Sequence, residues 1–152
     1  MVKLEKVEGV FRNLDRYVAI LRTLAELPRE TLLADKARLG GAKYYLQVAV
    51  ECCIDVANHL IAQAGWRAPR NYADSFAVLA ENGIIPGEFL AIARRMVGMR
   101  NRLVHLYWEV DDEMVYQTLR DHLGDFDRYQ ALIYGYLQNT GALDLAEGSD
   151  SE

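Results

Sequence analysis

Apolar residues recur at alternating intervals of three and four positions along the first part of this chain. That spacing places a single apolar stripe on an α-helix, whereas a half-buried strand would show strict alternation. Pro28 cannot continue such a helix and predicts its end. A narrow stripe is typical of a core helix in a bundle, and a seam between two copies of the chain is the alternative. The stripe consists of Leu4, Val7, Phe11, Leu14, Val18, Leu21 and Ala25.

The same spacing predicts a second long helix, which begins near Asp35 and runs to Ala64. Gly65 follows it directly, as expected for the residue that ends a helix. Gly40 and Gly41 lie inside this segment, and each should weaken the helix by about 1 kcal/mol. The pair therefore indicates either a local break or a close contact with another helix.

Beyond a loop with Pro69, a short helix is expected from an Asp74 or Ser75 cap to Asn82. Pro86 is well suited to the first turn of the next helix, which we expect to run towards Arg100.

The end of the chain predicts one continuous helix. Asp111–Glu113 forms a cap with an acidic first turn. The apolar stripe that follows comprises Val115, Leu119, His122, Phe126, Tyr129, Ile133 and Tyr136.

Together these segments predict an all-α fold, a bundle of four long helices plus one short helix, in a single domain over residues 1–138. Residues 139–152 are small and acidic, and we expect them to form a disordered tail. The N-terminus has no signal-peptide pattern and no apolar run reaches the roughly 20 residues of a membrane span, so we expect a cytoplasmic protein. Adjacent Cys52 and Cys53 diverge by about 100° on a helix and have no metal-ligand spacing, which favours buried thiols.

The formal net charge of −5 argues, taken alone, against a protein that binds nucleic acid. The distribution of charge weakens that objection. Residues 89–108 contain no acidic residue, while they include Arg94, Arg95, Arg100 and Arg102. A local basic face on an acidic protein is compatible with a phosphate backbone, because near charges dominate at physiological salt.

One stretch carries the most chemical information. Arg100–Tyr107 reads RNRLVHLY, which is Arg, four residues, His, one residue and Tyr. In this it resembles the HEPN family, and specifically its HepT-type ribonuclease toxins. Ile54–Ile61 (IDVANHLI) looks like the second-helix signature of that family, and Tyr72–Pro86 lies where the family has its short third helix. The resemblance covers roughly residues 2–137.

The residue types themselves suggest how such a site would work on RNA. The Arg100 guanidinium is a planar fork that suits two phosphate oxygens. The His105 imidazole can take a proton from a ribose 2′-hydroxyl or return one to the leaving 5′-oxygen. These functions suffice for metal-free cleavage through a 2′,3′-cyclic phosphate, with no cofactor. Residues five apart on a helix point about 140° away from each other, so the two side chains converge only if the helix ends or bends between them.

The resemblance also implies partners. Family members dimerise with a composite site at the interface, and a symmetric homodimer would supply two copies of His105, one as acid and one as base. The family further implies a type II toxin–antitoxin pair, in which an MNT-type nucleotidyltransferase antitoxin adds AMP to the motif tyrosine, here Tyr107. Without the resemblance, Tyr107 would be taken as an anchor for the loop after the helix.

Two other interpretations stay open. A non-catalytic HEPN protein would bind substrate or nucleotide for a nucleotidyltransferase, and a purely structural bundle would use Arg100 and His105 to line an interface.

Several polar residues are candidates for supporting roles. Asn101 either contacts substrate or caps the end of the helix. Arg102 either contacts substrate or belongs to a solvated face. Glu51, Asp55 and His59 are spaced four apart and form one polar stripe on the second long helix. This stripe either faces solvent or orients Arg100 or His105, and a carboxylate metal site is the poorest option, because no Glu-x-x-His pair is present.

Overall fold

The computed structural model describes residues 2–141 and is all-helical over that range, which confirms the predicted fold class. It contains a single turn of 3₁₀-helix at Tyr107–Glu109 and seven α-helices. These are α1 (Leu4–Ala25), α2 (Arg29–Ala34), α3 (Lys36–Ala64), α4 (Tyr72–Glu81), α5 (Gly87–His105), α6 (Asp112–Asp121) and α7 (Gly124–Asn139). The tail expected from residue 139 onwards lies mostly outside the described residues.

Helix α3 is the centre of the bundle. It packs along α1 and also contacts α2, α4, α5, α6 and α7. Both of its ends follow from local sequence: the Asp35 side chain accepts a hydrogen bond from the Arg38 backbone N–H, and Gly65 ends the helix with φ of 70°. The predicted span of this helix is confirmed.

The stripe on α1 faces the core of its own chain. Val7, Phe11, Leu14, Val18 and Leu21 are all buried against the rest of the bundle. The interpretation as a bundle-core helix is therefore confirmed, and the alternative of a seam between two copies is wrong.

An aromatic cluster marks the middle of the core. The Tyr129 ring lies 6.0 Å from that of Phe89, stacked, and edge-on to Phe11 and Phe76. Its hydroxyl donates to the Cys53 carbonyl at 2.9 Å, so the only polar atom of this buried side chain is satisfied. The cluster connects α7 to α1, α3, α4 and α5 and so fixes the positions of these helices relative to one another.

Both cysteines are buried, as expected from their position on α3. Burial raises the pKa of the Cys52 thiol to about 11, and burial also raises the pKa of the Cys53 thiol well above its ordinary value. Neither thiol is a nucleophile in this environment.

The predicted number of helices is wrong in two places. The last segment is two helices, α6 and α7, separated at His122 and Leu123. The apolar spacing continues across this break, so periodicity alone does not reveal it, while Gly124 disfavours a continuous helix. In addition, Arg29–Ala34 forms a short helix that buries Leu32 and was not predicted.

The start of the short helix also differs from the prediction. α4 begins at Tyr72, because the Asn71 side chain and not Asp74 or Ser75 caps it.

Gly40 and Gly41 mark neither a break nor a close contact, since α3 continues through them and a Cβ at either position would meet nothing within 4 Å. Among residues 2–141, no helix has the length and apolar character needed to cross a membrane.

Candidate functional site

Helix α5 carries the motif and is anchored by its apolar face. Phe89, Ala93, Met96, Val97 and Leu103 are buried, and Pro86 precedes the first turn. Of the polar residues between these positions, Arg94, Arg95, Asn101 and Arg102 are exposed on the other faces of the helix, whereas Arg100 is mostly buried.

Arg100 is held by three neighbours. Its Nε and Nη2 lie 3.1 and 3.0 Å from Glu51 Oε1 on α3, and its Nη1 donates to Asn101 Oδ1 at 3.2 Å. The guanidinium carbon lies 5.0 Å from the centre of the Tyr72 ring, within the range of a cation–π contact. Only 13% of the Arg100 side chain is exposed. The guanidinium is thus a fixed charge and not a mobile surface group.

The start of α4 places Tyr72 beside Arg100. Asn71 caps this helix by accepting from the Asp74 backbone N–H at 2.8 Å. Arg67 bonds both Asp74 and Glu81, and the Arg67 guanidinium holds the pKa of the Asp74 carboxyl well below its ordinary value. These contacts fix the loop that leads to Tyr72 and so fix one wall around Arg100.

His105 is the last residue of α5, and its side chain is exposed. The His105 side chain makes no hydrogen bond or ion pair with any residue in the range 2–141. The helix neither ends nor bends before it, since the Leu106 N–H still bonds the Arg102 carbonyl at 2.9 Å. The condition under which Arg100 and His105 would converge within one chain, an end or a bend of the helix between them, is therefore not met. The two side chains point about 140° apart within one chain.

Two exposed aromatic residues follow the histidine. Tyr107 and Trp108 are 68% and 67% exposed, and their rings meet edge to face with centres 5.3 Å apart. Both lie on the 3₁₀ turn, after which the Asp111 side chain caps α6 by accepting from the Glu113 N–H. The Tyr107 hydroxyl is open to solvent, and its ring is not packed into the core.

Asn101 and Arg102 are adjacent on α5, so their side chains point about 100° apart and have different neighbours. The Asn101 carboxamide bonds the Arg100 guanidinium and does not cap the helix end. Arg102 is exposed, and its Nη1 lies 3.7 Å from the Met114 sulfur on α6.

The polar stripe on α3 divides into three separate environments. Glu51 contacts Arg100, as the supporting interpretation requires. Asp55 is exposed and forms no hydrogen bond within the described chain; partial burial and the nearby Glu51 carboxylate raise its pKa. His59 is only 8% exposed, and its Nε2 accepts from the Lys3 backbone N–H at 3.1 Å. The stripe is thus neither a uniformly solvated face nor a metal site, and within residues 2–141 no cluster of potential ligands could hold a metal ion.

Comparison with known proteins identifies the family. The family model described as ribonuclease HepT-like matches residues 14–133, a span that includes Glu51, Arg100, His105 and Tyr107. The chain belongs to the ribonuclease HepT-like family.

Individual HepT-like relatives are similar over most of their length. The mRNA nuclease HepT of Shewanella oneidensis is 30% identical over 126 residues, which cover 83% of this chain and 91% of the relative. The tRNA nuclease HepT of Aphanizomenon flos-aquae is 23% identical over 133 residues, covering 86% of this chain and 89% of the relative. In a solved structure, the tri-AMPylated Shewanella oneidensis HEPN toxin in complex with its MNT antitoxin superposes with a TM-score of 0.80 at 27% identity, covering 85% of this chain and 96% of that one.

Sequence reasoning missed one contact of this HepT-like site. Tyr72 lies in a stretch that supported the resemblance, yet its spacing gave no reason to place its ring against Arg100. The signal lay in the Asn71 side chain, because a cap at that position starts α4 one residue later, at Tyr72. Asn58 is also engaged, since it accepts from the Ser75 hydroxyl at 2.7 Å and ties α3 to α4.

Proposed function

We propose that this chain is the toxin of a type II toxin–antitoxin pair and a metal-independent endoribonuclease that leaves a 2′,3′-cyclic phosphate. The observation that supports this most is the arrangement on α5. One positive charge, Arg100, is fixed by Glu51 and Tyr72, while one imidazole, His105, is exposed and free of partners among the described residues. The first suits a phosphate, and the second suits proton transfer.

The proposed reaction needs no group that the chain does not supply. The ribose 2′-oxygen attacks the adjacent phosphorus, its proton passes to a neutral imidazole, and the bond to the 5′-oxygen breaks as a protonated imidazole donates to it. Arg100 stabilises the negative charge that builds on the phosphate oxygens. The products are a 2′,3′-cyclic phosphate and a 5′-hydroxyl. Asn101 and Glu51 support the position of Arg100, and Arg102 binds a neighbouring phosphate; Asp55, an earlier candidate, has no contact that supports a role.

The divergence of Arg100 and His105 on α5 supports a homodimer. One chain carries one His105, and it points away from Arg100, whereas the reaction needs both an acid and a base at one phosphate. A two-fold axis near the end of α5 would bring two copies of His105 together and add an Arg100 from each side. The active unit is therefore proposed to be a symmetric dimer with RNA bound across it.

The exposed Tyr107 hydroxyl supports regulation by a partner. We propose that an MNT-type nucleotidyltransferase antitoxin transfers AMP from ATP to the Tyr107 oxygen, with pyrophosphate leaving. The solved Shewanella oneidensis complex, whose toxin is tri-AMPylated, is the precedent among relatives. AMP beside His105 would block the approach of RNA to the imidazole by its bulk and negative charge. We propose that this activity takes place in the cytoplasm, where both RNA and ATP are available.

The test of cleavage uses purified protein and RNA in excess EDTA. Cleavage should persist, the new 3′ ends should carry a cyclic phosphate, and His105→Ala and Arg100→Ala should each abolish cutting with unchanged circular dichroism. Cleavage that stops in EDTA and returns with magnesium would contradict the mechanism. RNA that binds but is never cut would favour the non-catalytic interpretation.

The test of regulation uses Tyr107→Phe and the antitoxin. The variant should fold and stay toxic in cells, while the antitoxin no longer neutralises it by modification. Mass spectrometry after incubation with antitoxin and ATP should find an adenylyl group on Tyr107 of the wild-type chain. An unmodified Tyr107, or a Tyr107→Phe toxin that is neutralised as well as the wild type, would contradict this part of the proposal.

A further inference from the structure

A surface cleft of about 500 Å³ lies between α5 and α6 and reaches the start of α7. Arg94, Arg95 and Arg102 line it from α5, together with apolar surface from Met99 and, across the cleft, Met114. Arg102 on α5 contacts Met114 on α6 across the cleft, a few residues before the turn that carries Tyr107.

The arginines of this cleft differ from most others in the described chain. Arginines elsewhere mostly pair with carboxylates, as Arg22 does with Asp127, Arg29 with Glu113, Arg67 with Asp74 and Glu81, and Arg128 with Glu88. Arg94 and Arg95 are exposed and form no ion pair or hydrogen bond within residues 2–141, and Arg102 contacts only a sulfur. The acid in the lining, Asp125, lies 3.6 Å from the Nδ1 of His122. An acidic protein thus concentrates unpaired positive charge in one cleft.

Helical spacing connects this cleft to His105. Arg95 and Arg102 are seven residues apart and differ by only about 20° around α5, and His105 is about 60° from Arg102. Along the helix axis, Arg102 lies about 4.5 Å and Arg95 about 15 Å from His105. Arg100 points about 160° away from Arg102, towards Glu51. The cleft therefore opens on the same side of α5 as the imidazole.

We propose that this cleft binds the sugar–phosphate backbone of the RNA strand as it runs away from the scissile phosphate at His105. Arg102 would contact the phosphate nearest the cut, and Arg95 and Arg94 phosphates further along. This inference rests on the proposed ribonuclease function. RNA fits better than a protein segment because unpaired guanidinium groups follow one helix face at intervals and lead directly to His105. Met99 and Met114 offer no strong hydrogen-bond donor or acceptor to base edges, so the cleft holds the backbone without reading sequence.

The experiment compares a long and a short substrate. Arg94→Ala/Arg95→Ala should lower kcat/KM about tenfold or more for a single-stranded RNA of about 20 nucleotides, and leave a dinucleotide within about twofold, because the dinucleotide occupies only the cutting site. The slope of log Kd against log salt for the long RNA, measured in a His105→Ala background, should fall by about 1.4, or about 0.7 for each lost phosphate contact. Arg94→Lys/Arg95→Lys should keep most of the slope.

The matched control is Arg12→Ala/Arg16→Ala on α1, which removes the same charge from another exposed surface and should leave both substrates and the salt slope unchanged. An equal loss on both substrates, or an unchanged salt slope, would overturn the inference. So would a cleft variant that sediments as a monomer where the wild type is a dimer, because the cleft would then hold a second copy of the chain. If wild-type protein neither binds nor cuts RNA, the proposed function fails first and the inference fails with it. If His105→Ala abolishes cutting but the cleft variant behaves like the control, only the inference fails.

Discussion

The contact between Glu51 and Arg100 makes a quantitative prediction. Glu51→Ala removes the carboxylate that accepts a hydrogen bond from Nε of Arg100 and forms an ion pair with its Nη2. A charge-assisted hydrogen bond of this kind contributes about 1.5–3 kcal/mol. Because 34% of the Glu51 side chain is exposed, water replaces part of the interaction, so we expect the low end, about 1.5 kcal/mol. For a chain of this length that corresponds to a fall in Tm of about 3–6 °C.

The effect on cleavage should exceed what lost stability explains. Tyr72 and Asn101 still contact the guanidinium in Glu51→Ala, so Arg100 shifts without becoming fully free. Misplacing a catalytic group by about 1 Å can cost about 100-fold, and partial support predicts a fall in kcat of about tenfold, or 1.4 kcal/mol. KM should not rise, because removing a carboxylate beside Arg100 increases its attraction for phosphate.

Steady-state cleavage of a short RNA well below the Tm of the variant measures both quantities. Glu51→Gln keeps an acceptor of the same shape and should lie between wild type and Glu51→Ala. Asp55→Ala is the matched control, one turn further along α3 with no contact to Arg100, and it should stay within about twofold of wild type. A Glu51→Ala enzyme with unchanged kcat, or with a raised KM and unchanged kcat, would show that Glu51 does not position Arg100.

Two further predictions concern the fold. Burial and, to a smaller extent, the nearby Lys6 lower the pKa of His59, whose neutral Nε2 accepts a hydrogen bond from the Lys3 backbone N–H. Below about pH 6.5 the unfolded chain therefore binds more protons than the folded chain. The free energy of unfolding falls as the pH is lowered through this range. Between about pH 7.5 and 5.5, wild type should therefore lose more free energy of unfolding in chemical denaturation than His59→Gln, and equal losses in the two proteins would contradict this prediction. Tyr129→Phe removes the buried bond to the Cys53 carbonyl and should cost about 1 kcal/mol in chemical denaturation, and a neutral result would show that the bond contributes nothing.

The parts of the fold that the sequence predicts are those with strong local signals. α1 has an uninterrupted apolar stripe and a proline beyond it, and α3 has an Asp35 cap and a terminal Gly65, so their bounds follow from capping and periodicity. The division between α6 and α7 does not follow, because the stripe keeps its phase across it. α2 is a single short segment whose stability comes from burying Leu32, which is a tertiary effect.

The site divides in the same way. The motif from Arg100 to Tyr107 is visible in sequence because its residue types and spacing are specific. The environment of each residue depends on which helix packs beside it. Glu51 and His59 are two turns apart on one stripe, yet one contacts Arg100 and the other the start of α1. Tyr72 reaches Arg100 only because α4 starts where it does.

The most direct test of the account is a subunit-mixing experiment. If both copies of His105 serve one phosphate, a dimer with a single His105→Ala chain is inactive. Wild-type and His105→Ala proteins, mixed in equal amounts and allowed to exchange subunits, should then retain about a quarter of the activity of the same total amount of wild type, since about a quarter of random dimers carry two intact chains. Retention of about half the activity would contradict the account, because each chain would then cut RNA with its own histidine.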